Sequence, residues 1–431
     1  MKLDTAPPRG MKDLLPAEVE LRDRATATIL ATYRRYGFRR IETPALENLR
    51  LLQGSGGGEN EKLIYKVLKR GAKLDAATAR EDDLADLGLR FDLTVPLARY
   101  YAHHRAELPD PFKAIQIGPV WRAERPQKGR FRQFTQCDID ILGVVSEIAE
   151  VELILATSEA LIELGLERPR IRLNDRRILS AMATFCGVEP GRHGDFFITL
   201  DKLDKIGREG VERELRDAGH DAGAISKLFA MVLSADGESS SSLERLAQAV
   251  PATSVAVESL RMILRAVGEG AGGRFTVGFD ASLVRGMGYY TGPIFEAAYG
   301  DSGGSIAGGG RYDRMVGRLL GQDVPACGFS IGFERVVSII EGTSDQVRSE
   351  RDRVAFLFEP ADPLAEVAAE AGRLRGREGT VSLTLKRKNL ARQLDDLAGE
   401  GFGSYAVFRP GQSPEVKTLV RRTASAGGAD A

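Results

Sequence analysis

The sequence predicts an α+β protein of more than one domain, and three observations carry that prediction. Two apolar stretches with strand alternation, Ala114–Trp121 and Phe134–Leu142, flank an arginine-rich linker and read as one long antiparallel hairpin. Residues 195–272 differ in character, with helical periodicity and dense charge. Past residue 350, three short strand-like stretches alternate with two helical patterns, the order of a small α/β unit with its own core. A chain of 431 residues is too long for one ordinary compact domain and suits two or three.

The elements follow in order. Residues 17–36 place apolar side chains at helical spacing, and Gly37 ends the pattern. Phe38–Pro44 reads as a short strand closed by proline, Gly54–Gly58 as a loop, and Glu81–Asp86 as a polar surface connection. After the hairpin, Ser146–Leu166 reads as an amphipathic helix and Ile171–Asn174 as a strand, with Asn174 or Asp175 capping the next helix. The helical insertion contains a polar break, Asp236–Ser242. Strand signals return at Phe275–Phe279 and Pro293–Tyr299, and a glycine-rich turn, Gly308–Gly310, leads into a helix over Tyr312–Leu320. A charged linker, Thr343–Arg353, precedes strands at Val354–Phe358, Val381–Leu385 and Tyr405–Arg409 and helices at Leu364–Leu374 and Asn389–Ala398. The tail past Arg422 is too small and polar to pack, and is expected to be disordered. The domain boundaries are thus 1–194, 195–272 (insertion), 273–342 and 351–431.

Bulk composition narrows the function. The apolar (43%) and charged (28%) fractions fit a water-soluble globular chain. No run of about 18 apolar residues could cross a bilayer, so no membrane association is expected. The first residues lack a signal-peptide core, and the three scattered cysteines give neither a disulfide framework nor metal spacing. These features together predict a cytoplasmic location and no protein-held metal. A net charge of −1 argues against indiscriminate nucleic-acid binding and leaves room for local basic patches.

Four segments carry candidate chemistry. The first is Val120-Trp-Arg-Ala-Glu-Arg-Pro-Gln-Lys-Gly-Arg-Phe-Arg-Gln-Phe134. Arginines inside a hairpin suit an anionic ligand, because the planar guanidinium bonds phosphate bidentately. A solvated loop is the plain alternative. Arg122 ends an apolar strand, however, and the return strand Gln136-Cys-Asp-Ile-Asp140 sets Asp138 and Asp140 at two-residue spacing among apolar neighbours. Buried carboxylates need partners, and a substrate ammonium is one. The second segment, Leu283-Val-Arg-Gly-Met-Gly-Tyr-Tyr-Thr-Gly292, puts an arginine beside close-approach glycines and an aromatic pair; a structural turn is its alternative. The third, Ala307-Gly-Gly-Gly-Arg-Tyr-Asp-Arg314, is by itself a weak phosphate or nucleobase signal. In the fourth, Gly328-Phe-Ser-Ile-Gly-Phe-Glu-Arg335, small residues alternate with large ones before an arginine that either binds a ligand or forms a structural salt bridge.

Together these segments resemble one family. The hairpin resembles motif 2 of the class II aminoacyl-tRNA synthetases, Gly328–Arg335 resembles motif 3, and Glu42-Thr-Pro44 with its preceding helix resembles motif 1. Pro8-Arg-Gly-Met-Lys-Asp-Leu-Leu-Pro16, Arg125–Phe134, Leu283–Tyr290 and Ala307–Asp313 are similar to the histidyl-tRNA synthetase signatures, in the family's order, over essentially all of 1–340.

The resemblance implies an antiparallel catalytic sheet flanked by helices, a helical insertion, a C-terminal α/β anticodon-binding domain, and a homodimer formed through motif 1. It implies ATP with Mg2+, histidine and tRNA-His as cofactors and partners. By position, Arg122 would bind the ATP α-phosphate and Arg335 the γ-phosphate side. Arg285 would stabilise the pentavalent α-phosphate under attack by the histidine carboxylate. Glu124 and Arg130 would hold the adenine and phosphate end. Asp92, Thr94, Gln136, Asp140, Tyr289 and Tyr290 would form the histidine pocket, and Gln127 would meet the tRNA acceptor end. The resemblance extends through Leu385-Lys-Arg-Lys-Asn-Leu390 and Tyr405–Phe408, but Phe408–Lys417 is shorter than the family's pattern. The basic residues Lys386–Lys388, Lys417, Arg421 and Arg422 are candidates for tRNA phosphates. Two rivals share this core: the regulatory subunit of ATP phosphoribosyltransferase, and a paralogue that delivers activated histidine to another acceptor. Retention of Arg122, Arg285 and Arg335 and the presence of a C-terminal domain speak against the first.

Overall fold

Pro16 opens the first helix, Pro16–Arg35, where its missing N–H costs nothing, and Gly37 leaves it at φ +81°. The structure, a computed structural model, describes residues 3–54, 60–70, 84–125, 131–233, 240–285, 289–300, 304–342 and 353–419. The chain divides into two units, Met1–Glu341 and Gly342–Ala431. Strands of the first unit are β1 (Arg39–Arg40), β2 (Leu46–Asn48), β3 (Lys66–Leu68), β4 (Ala85–Leu89), β5 (Phe112–Trp121) and β6 (Gln133–Leu142). They continue as β7 (Arg170–Asp175), β8 (Thr276–Phe279), β9 (Pro293–Tyr299), β10 (Gly304–Arg311) and β11 (Ala326–Ile331).

One sheet runs β1-β5-β6-β11-β10-β9-β7-β8. From β5 through β7 every pairing is antiparallel, and the two edge pairings, β1 with β5 and β7 with β8, are parallel. The sheet is therefore an antiparallel body with parallel edges. A smaller antiparallel sheet, β2-β4-β3, stands beside it in the chain.

Alternation along the strands gives the large sheet two different faces. Cys137, Ile139, Ile141, Phe295, Phe329 and Ile331 are buried in one cluster with the helices Pro16–Arg35, Ile148–Glu163 and Ser254–Ala271. Fully burying each large side chain of this kind contributes about 1.5–3 kcal/mol. On the opposite face, Phe112, Ala114, Leu142 and Ala326 join a second cluster with the helices Thr94–His104 and Asp313–Leu320. The middle of that face carries Gln116, Asp138, Ser330, Glu296 and Arg172.

Three expectations are corrected here. Gly308–Gly310 is not a turn but the middle of β10, because neighbouring atoms fill the space where side chains would stand. The helix at 148–163 is not amphipathic. It buries Ala149, Val151, Leu153, Ile154, Ala156, Ala160 and Leu161, being enclosed by two helices and the sheet. The strand expected over Phe38–Pro44 shrinks to Arg39–Arg40. Residues 55–58 of the expected glycine-rich loop, the connection at 81–83, the break at Asp236–Glu238, most of the 343–353 linker and the tail lie outside the described residues.

Helices fill the stretch from His193–Leu200 to Ser254–Ala271 and share the large apolar cluster of the first unit. The preceding helix, Arg176–Cys186, is capped by the Asp175 side chain, which accepts the Arg177 N–H at 2.7 Å. The second unit holds β12 (Arg353–Phe358), β13 (Thr380–Leu385), β14 (Ser404–Val407) and β15 (Lys417–Thr418) in the order β13-β12-β14-β15. Helices Leu364–Glu378 and Leu390–Gly399 close its two faces around Phe356 and Leu357.

Candidate active site

Sheet register assembles the site. Cross-strand partners share a face, and one row of them reads Gln116, Asp138, Ser330, Gly308, Glu296, Arg172 from β5 to β7. The next row reads Ala114, Asp140, Gly328, Gly310. Glycines thus pave the middle of this face, and it could not be paved otherwise. A Cβ on Gly308 would strike the Arg285 guanidinium, one on Gly328 would strike Asp140, and one on Gly310 would stand 3.1 Å from Tyr290. The result is a glycine floor on which Arg285, Asp140 and Tyr290 lie directly against the strand backbone.

Acceptors stand on one side of the floor. Asp138 and Asp140 are 4% and 3% exposed. Tyr312 donates to Asp140 Oδ1 at 2.6 Å, and a hydrogen bond from Ser330 reaches Asp138. Burial pushes Asp140 up to about 7, against the pull of Tyr312, and pushes Asp138 well above the carboxylate range, with Asp140 adding repulsion. Asp92 sits half-buried before the helix Thr94–His104, and its Oδ1 accepts the Val95 N–H at 3.2 Å. Burial raises it to about 6, while that hydrogen bond and Arg122 oppose the rise. Gln136 Oε1, Asp138 Oδ1 and Asp140 Oδ2 are buried without a hydrogen-bond partner. Tyr289 and Tyr290 lie with ring centres 4.2 Å apart and planes tilted by 49°, and burial raises both hydroxyls, Tyr289 to about 12.

Arginines stand on the other sides. Arg285 Nε donates to Glu296 Oε2 at 2.8 Å, and its Nη2 donates to the same oxygen and to Ser305 Oγ. Arg172 braces Glu296 at 3.2 Å and is itself held by Asp280 at 2.5 Å. Arg335, exposed on the first turn of Phe333–Gly342, donates to the Ser305 carbonyl at 2.5 Å. Ser305 therefore links the two arginines. The salt bridge at this turn belongs to Glu334, which pairs with Arg22 at 2.7 Å. Arg122 closes the acidic side: its Nε donates to the Phe91 carbonyl at 3.0 Å, and its guanidinium lies 5.0 Å from the Phe134 ring centre.

The site brings together Asp92, Arg122, Gln136, Asp140, Arg285, Tyr289, Tyr290 and Arg335. Thr94, half-buried, opens the helix whose Val95 N–H bonds Asp92. Glu124 lies just past the end of β5, where its carbonyl accepts from Arg132 Nε at 2.9 Å. Gln127 and Arg130, and Gly286–Gly288 beside Arg285, lie outside the described residues.

A family model described as histidyl-tRNA synthetase matches residues 10–336. The histidine–tRNA ligase of Leifsonia xyli subsp. xyli is 48% identical over 95% of this chain and 96% of its own. The chain belongs to the histidyl-tRNA synthetase family. A probable histidine–tRNA ligase of Tropheryma whipplei is 43% identical, covering 95% of this chain and 97% of its own. Among solved structures, the histidyl-tRNA synthetase from Nostoc sp. PCC 7120 superposes with a TM-score of 0.79 at 26% identity, covering 97% of this chain and 95% of that one. A Bacillus halodurans structure, titled an ATP phosphoribosyltransferase regulatory subunit/histidyl-tRNA synthetase, gives 0.75 at 19% identity over 95% of this chain and all of its own. That likeness shows the fold alone.

Seen as a histidyl-tRNA synthetase, the chain holds site residues that sequence reasoning passed over: Arg172, Asp280, Glu296, Ser305 and Tyr312. A signal existed for Glu296, a single carboxylate inside the apolar strand Pro293–Tyr299. In the second unit the expected basic cluster is partly neutralised, since Lys386 pairs with Glu359, Arg387 with Asp396, and Lys417 with Glu415. Such exposed pairs are worth about 0–1 kcal/mol and can be exchanged for phosphate contacts. Arg421 and Arg422 lie outside the described residues. No described helix is long and apolar enough to cross a membrane, and no group of three His, Cys, Asp or Glu side chains among the described residues could hold a metal ion.

Proposed function

We propose that this chain is a histidine–tRNA ligase, which joins histidine to ATP as histidyl-adenylate and then esterifies it to the 3′ end of tRNA-His. The observation that carries the site reading is the glycine floor, bounded by open acceptors on one side and the Arg285–Ser305–Arg335 cluster on the other. The acceptors suit the ammonium and imidazole N–H groups of histidine. Asp140 and Gln136 serve the pocket from β6, Asp92 and Thr94 from the helix start, and Tyr289 and Tyr290 wall it. A wrong side chain would leave buried acceptors unpaired, which is how such pockets discriminate sharply.

In the first step a histidine carboxylate oxygen attacks the α-phosphorus of ATP, a C–O–P bond forms, and the bond to the β-phosphate breaks with loss of pyrophosphate. Arg122 binds the α-phosphate, Arg335 the γ-phosphate side, and Glu124 with Arg130 the adenine and phosphate end. Arg285 meets the charge that develops on the pentavalent phosphorus. Its fixed guanidinium need not reorganise as that charge appears, the largest usual source of such stabilisation. Mg2+ would neutralise triphosphate charge. The residues present fit an ion held mostly by phosphate and water, since Mg2+ commonly needs only one or two protein carboxylates. In the second step a terminal tRNA hydroxyl attacks the adenylate carbonyl and AMP leaves, with Gln127 near the acceptor end and the second unit engaging the anticodon side.

The same reading includes a homodimer through the segment around Glu42–Pro44 and a cytoplasmic location. Exposed Leu15 and Leu46, at 72% and 42%, are side chains that a partner would cover. Amino-acid-dependent ATP–pyrophosphate exchange tests the proposal. Exchange is expected with histidine and negligible with the other standard amino acids. Comparable exchange with phenylalanine or glutamine would overturn it.

A further inference from the structure

We propose that Asp138, acting with Asp92, binds the α-ammonium of the amino-acid substrate, an assignment that rests on reading this site as one that activates histidine. Strand β6 points Gln136, Asp138 and Asp140 onto one face at two-residue spacing, and each presents a buried oxygen without a partner. A buried acceptor left unpaired is costly, and three in a row on one strand face call for a ligand rich in donors.

Counting donors sharpens the point. Histidine with a neutral ring brings three ammonium N–H groups and one ring N–H. Gln136 and Asp140 supply two of the matching open oxygens. Asp138 Oδ1 supplies a third, and the second carboxyl oxygen of Asp92 makes a fourth.

The surroundings decide which end of histidine Asp138 serves. Asp140 receives the Tyr312 hydroxyl, and Tyr312 belongs to the apolar cluster with Phe112, Ala114 and Ala326. This enclosed end suits an imidazole. Asp138 stands two residues back along β6, in the cross-strand row that runs through Ser330 to Gly308, against which the Arg285 guanidinium lies, and Arg122 acts on it as well. Arg122 marks the anionic end of the ligands, the carboxylate and the α-phosphate it attacks. The ammonium of an α-amino acid lies one carbon from its carboxylate, so the carboxyl group on the row that leads toward the arginines is the one within its reach. Burial and the neighbouring Asp140 make an ionised Asp138 unfavourable when no cation is present; a bound ammonium removes that penalty.

Equilibrium binding of two ligands to the full chain tests the assignment: histidine, and 3-(imidazol-4-yl)propionate, which keeps the ring and carboxylate but lacks the ammonium. Asp138→Asn should weaken histidine roughly 10- to 100-fold and change imidazolylpropionate by no more than about twofold, the loss expected for one charged hydrogen bond. Asp138→Ala, measured alongside, should lose the same discrimination, and retained imidazolylpropionate binding reports that the pocket is intact. Equal weakening of both ligands would assign Asp138 a purely structural role, and greater weakening of imidazolylpropionate would move it to the ring. Either result overturns the proposal, as does unchanged histidine binding. An unmodified protein that does not bind histidine would instead refute the reading of the site on which the proposal rests.

Discussion

Arg285 is fixed by protein groups on two sides. Glu296 takes its Nε and Nη2, Ser305 takes Nη2, and Arg172 with Asp280 holds Glu296 from behind. Preorganisation of this kind is what a transition-state group requires. Arg285→Ala should therefore lower the rate of adenylate formation by at least about 100-fold. Its melting temperature should fall little, since Arg172 still pairs Glu296. A variant that melts much earlier but keeps its turnover would show the arginine to be a structural brace. Glu296→Gln should lower kcat with little change in KM for histidine, because it releases the guanidinium and leaves the acceptors of β6 in place. Arg122, Asp140 and Arg285 were legible in the sequence as polar residues breaking apolar or glycine-rich patterns. The brace was not, because Arg172, Asp280 and Glu296 are far apart in the chain and meet only through the register of β7, β8 and β9.

At the scale of elements, β10 is the strand on which the site depends. Three consecutive glycines are poor strand material and read as a turn when only local propensity is weighed. Packing overrides propensity here, and its two faces do so for different reasons. A side chain on Gly308 would meet the flexible end of Arg285, whereas one on Gly309 would meet the Gly328 carbonyl and the Phe295 ring. Gly308→Ala should consequently fold and lose activation, with Arg285 displaced. Gly309→Ala should lose stability, because backbone and a core ring must shift. Thermal melts paired with pyrophosphate exchange separate the two; equal stability loss in both would contradict this account of the floor. The hairpin of β5 and β6 was legible because two apolar stretches flank an arginine-rich linker and polar and apolar residues alternate from Gln136 to Ile141. The helix Ile148–Glu163 was legible as a helix but not as an enclosed one, since enclosure depends on partners distant in the chain.

For the whole molecule, the boundary at Glu341 separates the site-bearing unit from one with its own small cores around Phe356 and Leu357. The first unit carries every described residue assigned here to histidine and ATP. A chain ending at Glu341, once shown to be folded, should keep histidine-dependent pyrophosphate exchange and charge tRNA far more slowly than the full chain. Phosphate contacts from the basic residues of the second unit would also make charging by the full chain weaken with added salt. The most direct measurement is ATP-dependent attachment of labelled histidine to a tRNA-His transcript by the full chain, run beside pyrophosphate exchange. Both reactions should occur, with the label on the 3′ end of the transcript. Exchange with histidine but an uncharged transcript would contradict a tRNA ligase and point instead to an enzyme that hands activated histidine to another acceptor.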